Sequence, residues 1–414
     1  MLPLATFQTR QRRLTRYPWL IPNAVWGFKT HNLTAPQFWR NDQPSALADV
    51  LANTRAGDAI KADVAFNHHV FGTNAPAILG GLGLDCWGQF SSRLANGHNL
   101  AAAGWGSVGG LTVADLGPSP LGVFQRARLA SGGATADRRR QTANMSAGVK
   151  YYVTALYEPE TSGNFRVQGF GGGDNIVIVG SPGNPNTSTN SGGLLGGLAE
   201  VNVVGNLWHR SFFWTPSVNT NYEWNVGPQS GVEGASVIVH GFDVVAAGIA
   251  TPWISNASPA PTRFADALSI PDFPSIVSTH GLQDGFAGRD TVNLARLGDS
   301  SNRYIWSYGT VTDGVRLFYT TANLLRMETR KGGSAVGLVT TSAVNAPGVW
   351  TIDYQCKPGA YWMRINGGDQ IAPLSGAGET LPDISGERAI GRLVTNSNSY
   401  FRGAILSSQI ARAA

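Results

Sequence analysis

An all-β chain is the fold class this sequence predicts, and three observations predict it. Only 14% of residues are charged, against roughly 25% in ordinary globular domains. Glycine reaches 52 and proline 22, beside 12 Trp, 11 Tyr and 17 Phe. That mixture suits short strands joined by tight turns, because glycine supplies the positive φ that turns require. Nowhere does a long stretch carry the 3.6-residue periodicity of an amphipathic helix.

Taken in order, residues 1–84 form no clear amphipathic element and carry scattered Pro, Gly and Asn. They read as a loop-rich docking arm and collar. From 85 the pattern changes to short β-type runs: LGLDCWGQF, YYVTALYEP, NFRVQGF, NIVIVG, HRSFFWTPS, TNYEWNVG and ASVIVHGFDVVAAG. Gly/Asn/Pro clusters such as GSPGNPNTSTNSGG separate them. Closely spaced strands with turn signals predict one sandwich over 85–255. Pro252, Pro259 and Pro261 mark a break. RYIWSYG, GVRLFYTT, LLRMETRK, GVWTIDYQ, AYWMRING and SYFRGAILSSQI then predict a second sandwich over 262–414, with Asn366-Gly367-Gly368 as a hairpin turn. GFGGGD (169–174) lies between two strands and is a turn rather than a phosphate cradle, which would need a helix after it.

Charge is unevenly placed. Residues 1–40 hold Arg10, Arg12, Arg13, Arg16, Lys29 and Arg40 and no acidic residue, so the net +5 of the chain resides there. Tyr17 and Trp19 interleave with those arginines, and that mixture suits a protein interface better than phosphate tracking. Arg10, Arg12, Arg13, Arg16, Tyr17 and Trp19 are therefore the candidate docking residues, with nucleic acid not expected. The first 20 residues lack the apolar core of a secretory signal, and no run of 18 apolar residues exists for a membrane span. Cys86 and Cys356 sit in apolar runs with no CxxC and read as buried small hydrophobes.

Motifs of catalysis are sparse. His31, His68, His69, His98, His209, His240 and His280 show no metal-ligand spacing, and His68 and His69 would point to opposite faces of a strand. There is no GxSxG elbow, no Walker motif and no GxGxxG opening a helix. Glu158 and Glu160 read as solvated, and Asp299, Asp313, Glu328 and Asp353 are scattered. No cofactor, no metal and no enzymatic activity are expected. GDSSN lacks the ligand count of a calcium loop. Binding is the better-supported activity. The stretch 298–314 offers Asp299, Asn302, Arg303, Tyr304, Trp306 and Tyr308, polar and aromatic groups of the kind that hold sugars. Under strict alternation Tyr304, Trp306 and Tyr308 share one face, which is either the sugar-facing side or the core.

The order of segments resembles tail-fibre and head-spike proteins of tailed bacteriophages and the related gene transfer agents. NTRAGDAIKAD (53–63), FGTNAPAI (71–78) and GLGLDCWGQFSSRLANGHNL (81–100) resemble the opening module, through Gly81, Leu82, Gly83, Leu84, Arg93, Asn96, Asn99 and Leu100. YYVTALYEP, GNLWHRSFFWTPS (205–217) and 227–266 are similar to a carbohydrate-binding-module-like sandwich, with His240 where Trp is usual and Asp243-Val244-Val245 in place of Gln-Leu-Glu. The remainder resembles a concanavalin- or laminin-G-like jelly roll. The resemblance implies a virion protein made in the host cytoplasm, released by lysis and homo-oligomeric. It would attach by its N-terminal arm to capsid-vertex, portal-side or tail-tip proteins and bind host surface polysaccharide without membrane insertion. A virion glycan depolymerase and a non-binding collar or decoration protein are the alternatives.

Overall fold

The computed structural model describes residues 17–413 apart from 31–32, 34, 57, 64–66, 88, 248–249, 252, 255–261, 264, 295–301, 342–347, 374–380, 385, 394–400 and 402. The fold is all-β, and the chain divides into two compact units.

One unit draws on 57–72 and 89–264. It is a sandwich of two antiparallel six-stranded sheets. One sheet runs in the order Gly106–Val108, Arg138–Met145, Thr220–Pro228, Phe165–Gly171, Asp174–Ser181, Asn184–Ser191. The other runs Thr112–Pro118, Gln125–Ala130, Ser236–Ala246, Tyr151–Pro159, Leu207–Thr215, Leu194–Val204. Alternation writes the core. Tyr222, Trp224 and Val226 point inward from the first sheet; Tyr151, Val153, Ala155 and Tyr157 answer from the second. Phe242 and Phe212 pack against Trp224 with ring centroids 6.1 and 6.4 Å away. Each such buried aromatic contributes about 1.5–3 kcal/mol. The GFGGGD segment is the hairpin turn expected: Gly171 pairs with Asp174, and Gly172 and Gly173 take φ of +58° and +95°.

The other unit draws on residues up to 56, 73–88 and 265 onward, and it too is a sandwich around one core. Its nine-stranded sheet contains Gln37–Arg40, Ala24–Lys29, Gly403–Arg412, Phe286–Leu294 and Gly348–Cys356 as consecutive neighbours. Its seven-stranded sheet ends on Ala52–Thr54.

These boundaries differ from the expected 1–84, 85–255 and 262–414. Ala24–Lys29 is not part of a separate collar. It pairs with Gly403–Arg412 on one side and Gln37–Arg40 on the other, burying Trp26 and Phe28 completely. Ala59–Ala62 and His68–Phe71 form a hairpin within the first sandwich. Local pattern names a strand but not its partner, and Gly403–Arg412 lies hundreds of residues from Ala24–Lys29. The expected break at Pro252, Pro259 and Pro261 lies outside the described residues. Cys86 and Cys356 are buried and unbridged, and burial pushes the Cys356 thiol pKa far up. Among the described residues no helix is long and apolar enough to cross a membrane.

Candidate binding site

The aromatic run singled out in the sequence is core. Trp306 and Tyr308 are 0% and 2% exposed, and Arg303 is buried. A β-bulge between Tyr304 and Trp306 breaks the alternation. Ile305 and Trp306 both join the main core, while Tyr304 turns to the opposite side and stacks on Phe318 at 5.0 Å. The cation these rings serve is internal: the fully buried Arg388 guanidinium lies 4.8 Å from the Trp306 ring and 4.7 Å from Tyr308, and it donates to the Tyr308 hydroxyl. Asn302 is half-buried, and Asp299 lies outside the described residues.

Of the docking candidates, Arg10, Arg12, Arg13 and Arg16 lie outside the described residues. Tyr17 and Trp19 pack against Leu20, Ala24 and Trp39 of their own chain. Trp19 Nε1 donates to Gln37 Oε1 at 2.8 Å.

Among the histidines, His31 lies outside the described residues. His69 pairs with Asp63 at 3.0 Å while the adjacent His68 is buried. His240 is enclosed between the Ser119 hydroxyl and the Glu158 carboxylate, each at 2.7 Å. Among the described residues no cluster of three or more His, Cys, Asp or Glu could hold a metal ion.

A different surface has the composition of a binding site. Residues directly opposite one another on antiparallel strands point to the same side. On the outer side of the first sheet, Arg140, Asn225, Gln168 and Val177 form one such row. Thr142, Glu223, Phe170 and Asn175 form the next. On the other flank Gly227 lies opposite Arg166, and a Cβ built on it would meet the Arg138 Cα at 3.2 Å. An exposed sheet side normally carries its polar groups in water. Here the middle is enclosed: Asn225 is 0% exposed and Gln168 8%, while Phe170 at the margin is 36% exposed.

The polar groups are only partly matched. Arg166 donates to Gln229 Oε1 at 3.0 Å and to Gln168 Oε1 at 2.8 Å, and Gln168 Nε2 donates to Asn175 Oδ1 at 3.1 Å. Asn225 has no hydrogen-bond partner for either its amide oxygen or nitrogen, and Nε of Arg138 and of Arg166 is likewise unmatched. Leaving a buried amide unmatched costs about 1–3 kcal/mol. Burial, and then the charge of Arg138, push the Arg166 pKa down to about 10. A shallow depression of about 320 Å³ opens beside Arg138, Gln168, Phe170 and the Gly171–Gly173 turn.

A second depression, of about 180 Å³, lies on the outer side of the other sheet among Tyr152, Thr154, His209 and Trp253. Its polar groups answer one another. Thr154 Oγ1 meets His209 Nε2 at 2.5 Å, and the Tyr152 hydroxyl bonds Ser211 and Thr154. Burial pushes the His209 pKa down to about 4, which keeps the ring neutral. With fewer unmet groups, this depression is the weaker candidate.

The site was present in the sequence as Arg166-Val167-Gln168-Gly169-Phe170 and Glu223-Trp224-Asn225-Val226. Such alternation also describes any strand with a wet side. Only the enclosure of Asn225 and Gln168 separates the two cases.

No protein-family model and no curated protein matches the chain. Solved structures similar to it include the Ruminococcus gnavus IT-sialidase CBM40 bound to α2,3 sialyllactose, at 19% identity and a TM-score of 0.27, covering 32% of this chain and 77% of that one. Mouse laminin α1 domains LG4-5 are similar at 10% identity and 0.28, covering 66% and 87%. The CBM22-1-CBM22-2 tandem of Paenibacillus barcinonensis Xyn10C is similar at 9% identity and 0.26, covering 78% and 95%. At these scores the likeness carries no argument about ligand or residues, and the site stands on its own geometry.

Proposed function

We propose that this chain is a non-catalytic, glycan-binding structural component of a virion, a fibre or spike of head or tail. Its ligand is host surface polysaccharide, held on the side of the first sheet that carries Arg138, Arg166, Gln168, Phe170 and Asn225. One observation carries the binding reading: a depression of about 320 Å³ on a polar sheet side, where the Arg138 guanidinium, the Gln168 amide and the Phe170 ring meet. Sugars need that combination of fixed amides and guanidiniums for hydroxyls and an aromatic plate for C–H surfaces. The nearby carboxylates are already engaged. Glu223 pairs with Arg140 at 3.1 Å, and Asp174 accepts from Ser217 and Tyr222. That supports binding over the paired carboxylates that glycoside hydrolysis requires.

The virion role, attachment through the N-terminal arm and the oligomeric state rest on the sequence resemblance alone. Antibody against the chain is expected to label purified particles by electron microscopy. Particles that lack the chain would remove the virion role and leave the binding reading standing. For binding, the purified chain is expected to hold host-type surface polysaccharide saturably, with the polymer recovered at its original length. Gln168→Ala and Phe170→Ala should each weaken it about tenfold or more, since each removes one hydrogen-bonded or stacked contact of about 1.4 kcal/mol. Shortened polymer would favour a depolymerase, and no binding by the folded chain would leave a collar or decoration protein.

A further inference from the structure

We infer that the sugar held on this face carries a carboxylate, and that the carboxylate lies between the guanidiniums of Arg138 and Arg166. The inference rests on the glycan-binding reading above and names the ligand class for that same face. It starts from charge. Elsewhere in this sandwich the most enclosed guanidinium, Arg210, is answered by Glu200 at 2.6 Å, with both side chains fully buried. Arg138 and Arg166 are half-buried, yet among the described residues neither has a carboxylate within ion-pair distance. Burial lowers the pKa of both, and Arg166 feels the Arg138 charge besides. Two partly desolvated like charges side by side are costly unless an anion joins them.

Glu223 and Asp137 favour the charge of Arg138 from a distance, but neither forms an ion pair with it. Glu223 is held by Arg140. The Asp137 carboxylate accepts from the backbone N–H groups of Gly110, Gly132 and Ala134. Asp174 is spent on Ser217 and Tyr222. Gly227 stands between Arg138 and Arg166 across the sheet, with the Arg138 backbone packed close against it, and the depression for an incoming group opens beside Arg138, Gln168 and Phe170. Guanidinium forks match a carboxylate in bidentate fashion. With the acid group placed there, Gln168 stands one row along for ring hydroxyls, and Phe170 one row further for a C–H face.

The test is an NMR titration of the full chain, following the Arg Nε–H and Gln side-chain resonances, with four probes: D-glucuronate, methyl β-D-glucoside, glucose 6-sulfate and acetate. Glucuronate should shift the Arg138, Arg166 and Gln168 signals saturably, at least tenfold more tightly than the glucoside. Arg166→Gln and Arg138→Gln should each bring glucuronate down to the glucoside level, with thermal unfolding within a few degrees of the parent. Equal affinity for glucuronate and glucoside overturns the charge inference and leaves glycan binding intact. Tighter binding of the 6-sulfate assigns the oxyanion to sulfate and overturns the carboxylate. Acetate matching glucuronate makes the face an anion site only and removes the sugar reading of it. If no probe shifts these signals the inference fails, and the polysaccharide assay above decides separately whether the chain binds glycan.

Discussion

Arg388 shows what a buried side chain does to a surface reading of aromatics. Its guanidinium is enclosed by Trp26, Trp306 and Tyr308 and reaches the Tyr308 and Tyr354 hydroxyls. Nearby, Asp290 is 0% exposed and accepts from Trp306 Nε1 at 2.7 Å. Burial pushes the Asp290 pKa up to about 6, against the opposing pull of Arg388. Arg388→Met should therefore cost about 3–5 kcal/mol near neutral pH, because it strands a buried carboxylate. The sign with pH follows from linkage. A carboxyl raised in the folded state favours folding when protonated, and its contribution is lost as pH rises from the unfolded value of about 3.8 through the folded one. Without Arg388 the folded pKa climbs further, so the cost should be larger at pH 7 than at pH 5. Denaturant unfolding of the variant and parent at both pH values measures this. A pH-independent difference would mean that Asp290 and Arg388 do not interact. Tyr304→Ala and Trp306→Ala belong with it: both should lower stability and leave the affinity of a still-folded chain for polysaccharide unchanged.

At the scale of the element, the Phe165–Gly171 and Asp174–Ser181 hairpin carries half the binding face, and its turn is two glycines. Both have positive φ, but they differ in surroundings. A Cβ on Gly172 would come within 2.4 Å of Val218 Cγ2, whereas Gly173 faces open space. Gly172→Ala should cost more stability than Gly173→Ala, which pays only the left-handed backbone penalty of about 1–2 kcal/mol. The same substitution should weaken glycan binding, since Phe170 and Asn175 flank the turn on the face. Equal melting temperatures for the two variants would contradict this. Turns and strands of this kind were legible in the sequence because they are local: a Gly-Gly pair between alternating runs has one reading. The sandwich cores were legible for the same reason. Long-range choices were not. The bulge at Ile305 reverses which side Tyr304 faces, and nothing in RYIWSYG marks it. RVQGF and EWNV alternate as any half-wet strand does, so the binding face waited on the burial of Asn225.

For the whole molecule, the decisive fact is that the second sandwich is closed by strands from both ends of the described chain. Gly403–Arg412 lies between Ala24–Lys29 and Phe286–Leu294, and Ala52–Thr54 edges the opposite sheet. A fragment starting at residue 262 would lose Trp26, Phe28, Val50 and Leu84, all 0% exposed, and would bare a long strand edge. It should aggregate or remain molten, with near-UV circular dichroism lost. The chain leaves this sandwich twice, over 57–72 and 89–264, and both departures are stitched shut. Asn74 N–H donates to Arg55 O at 3.3 Å, and Asp266 N–H donates to Trp87 O at 3.0 Å. The Arg55 guanidinium meets the Asp266 carboxylate at 2.6 Å, with both side chains fully buried. Because each pair of ends is already within hydrogen-bond reach, replacing both excursions by short Gly/Ser linkers adds little loop-closure cost. The excised protein, with 17–56, 73–88 and 265–413 retained, is expected to fold cooperatively where the 262–414 fragment does not. It should also have lost the polysaccharide binding carried by the other sandwich. Cooperative folding of the 262–414 fragment alone would show that the N-terminal strands are dispensable. Polysaccharide binding by the excised protein would move the glycan site out of the sandwich that contains Asn225.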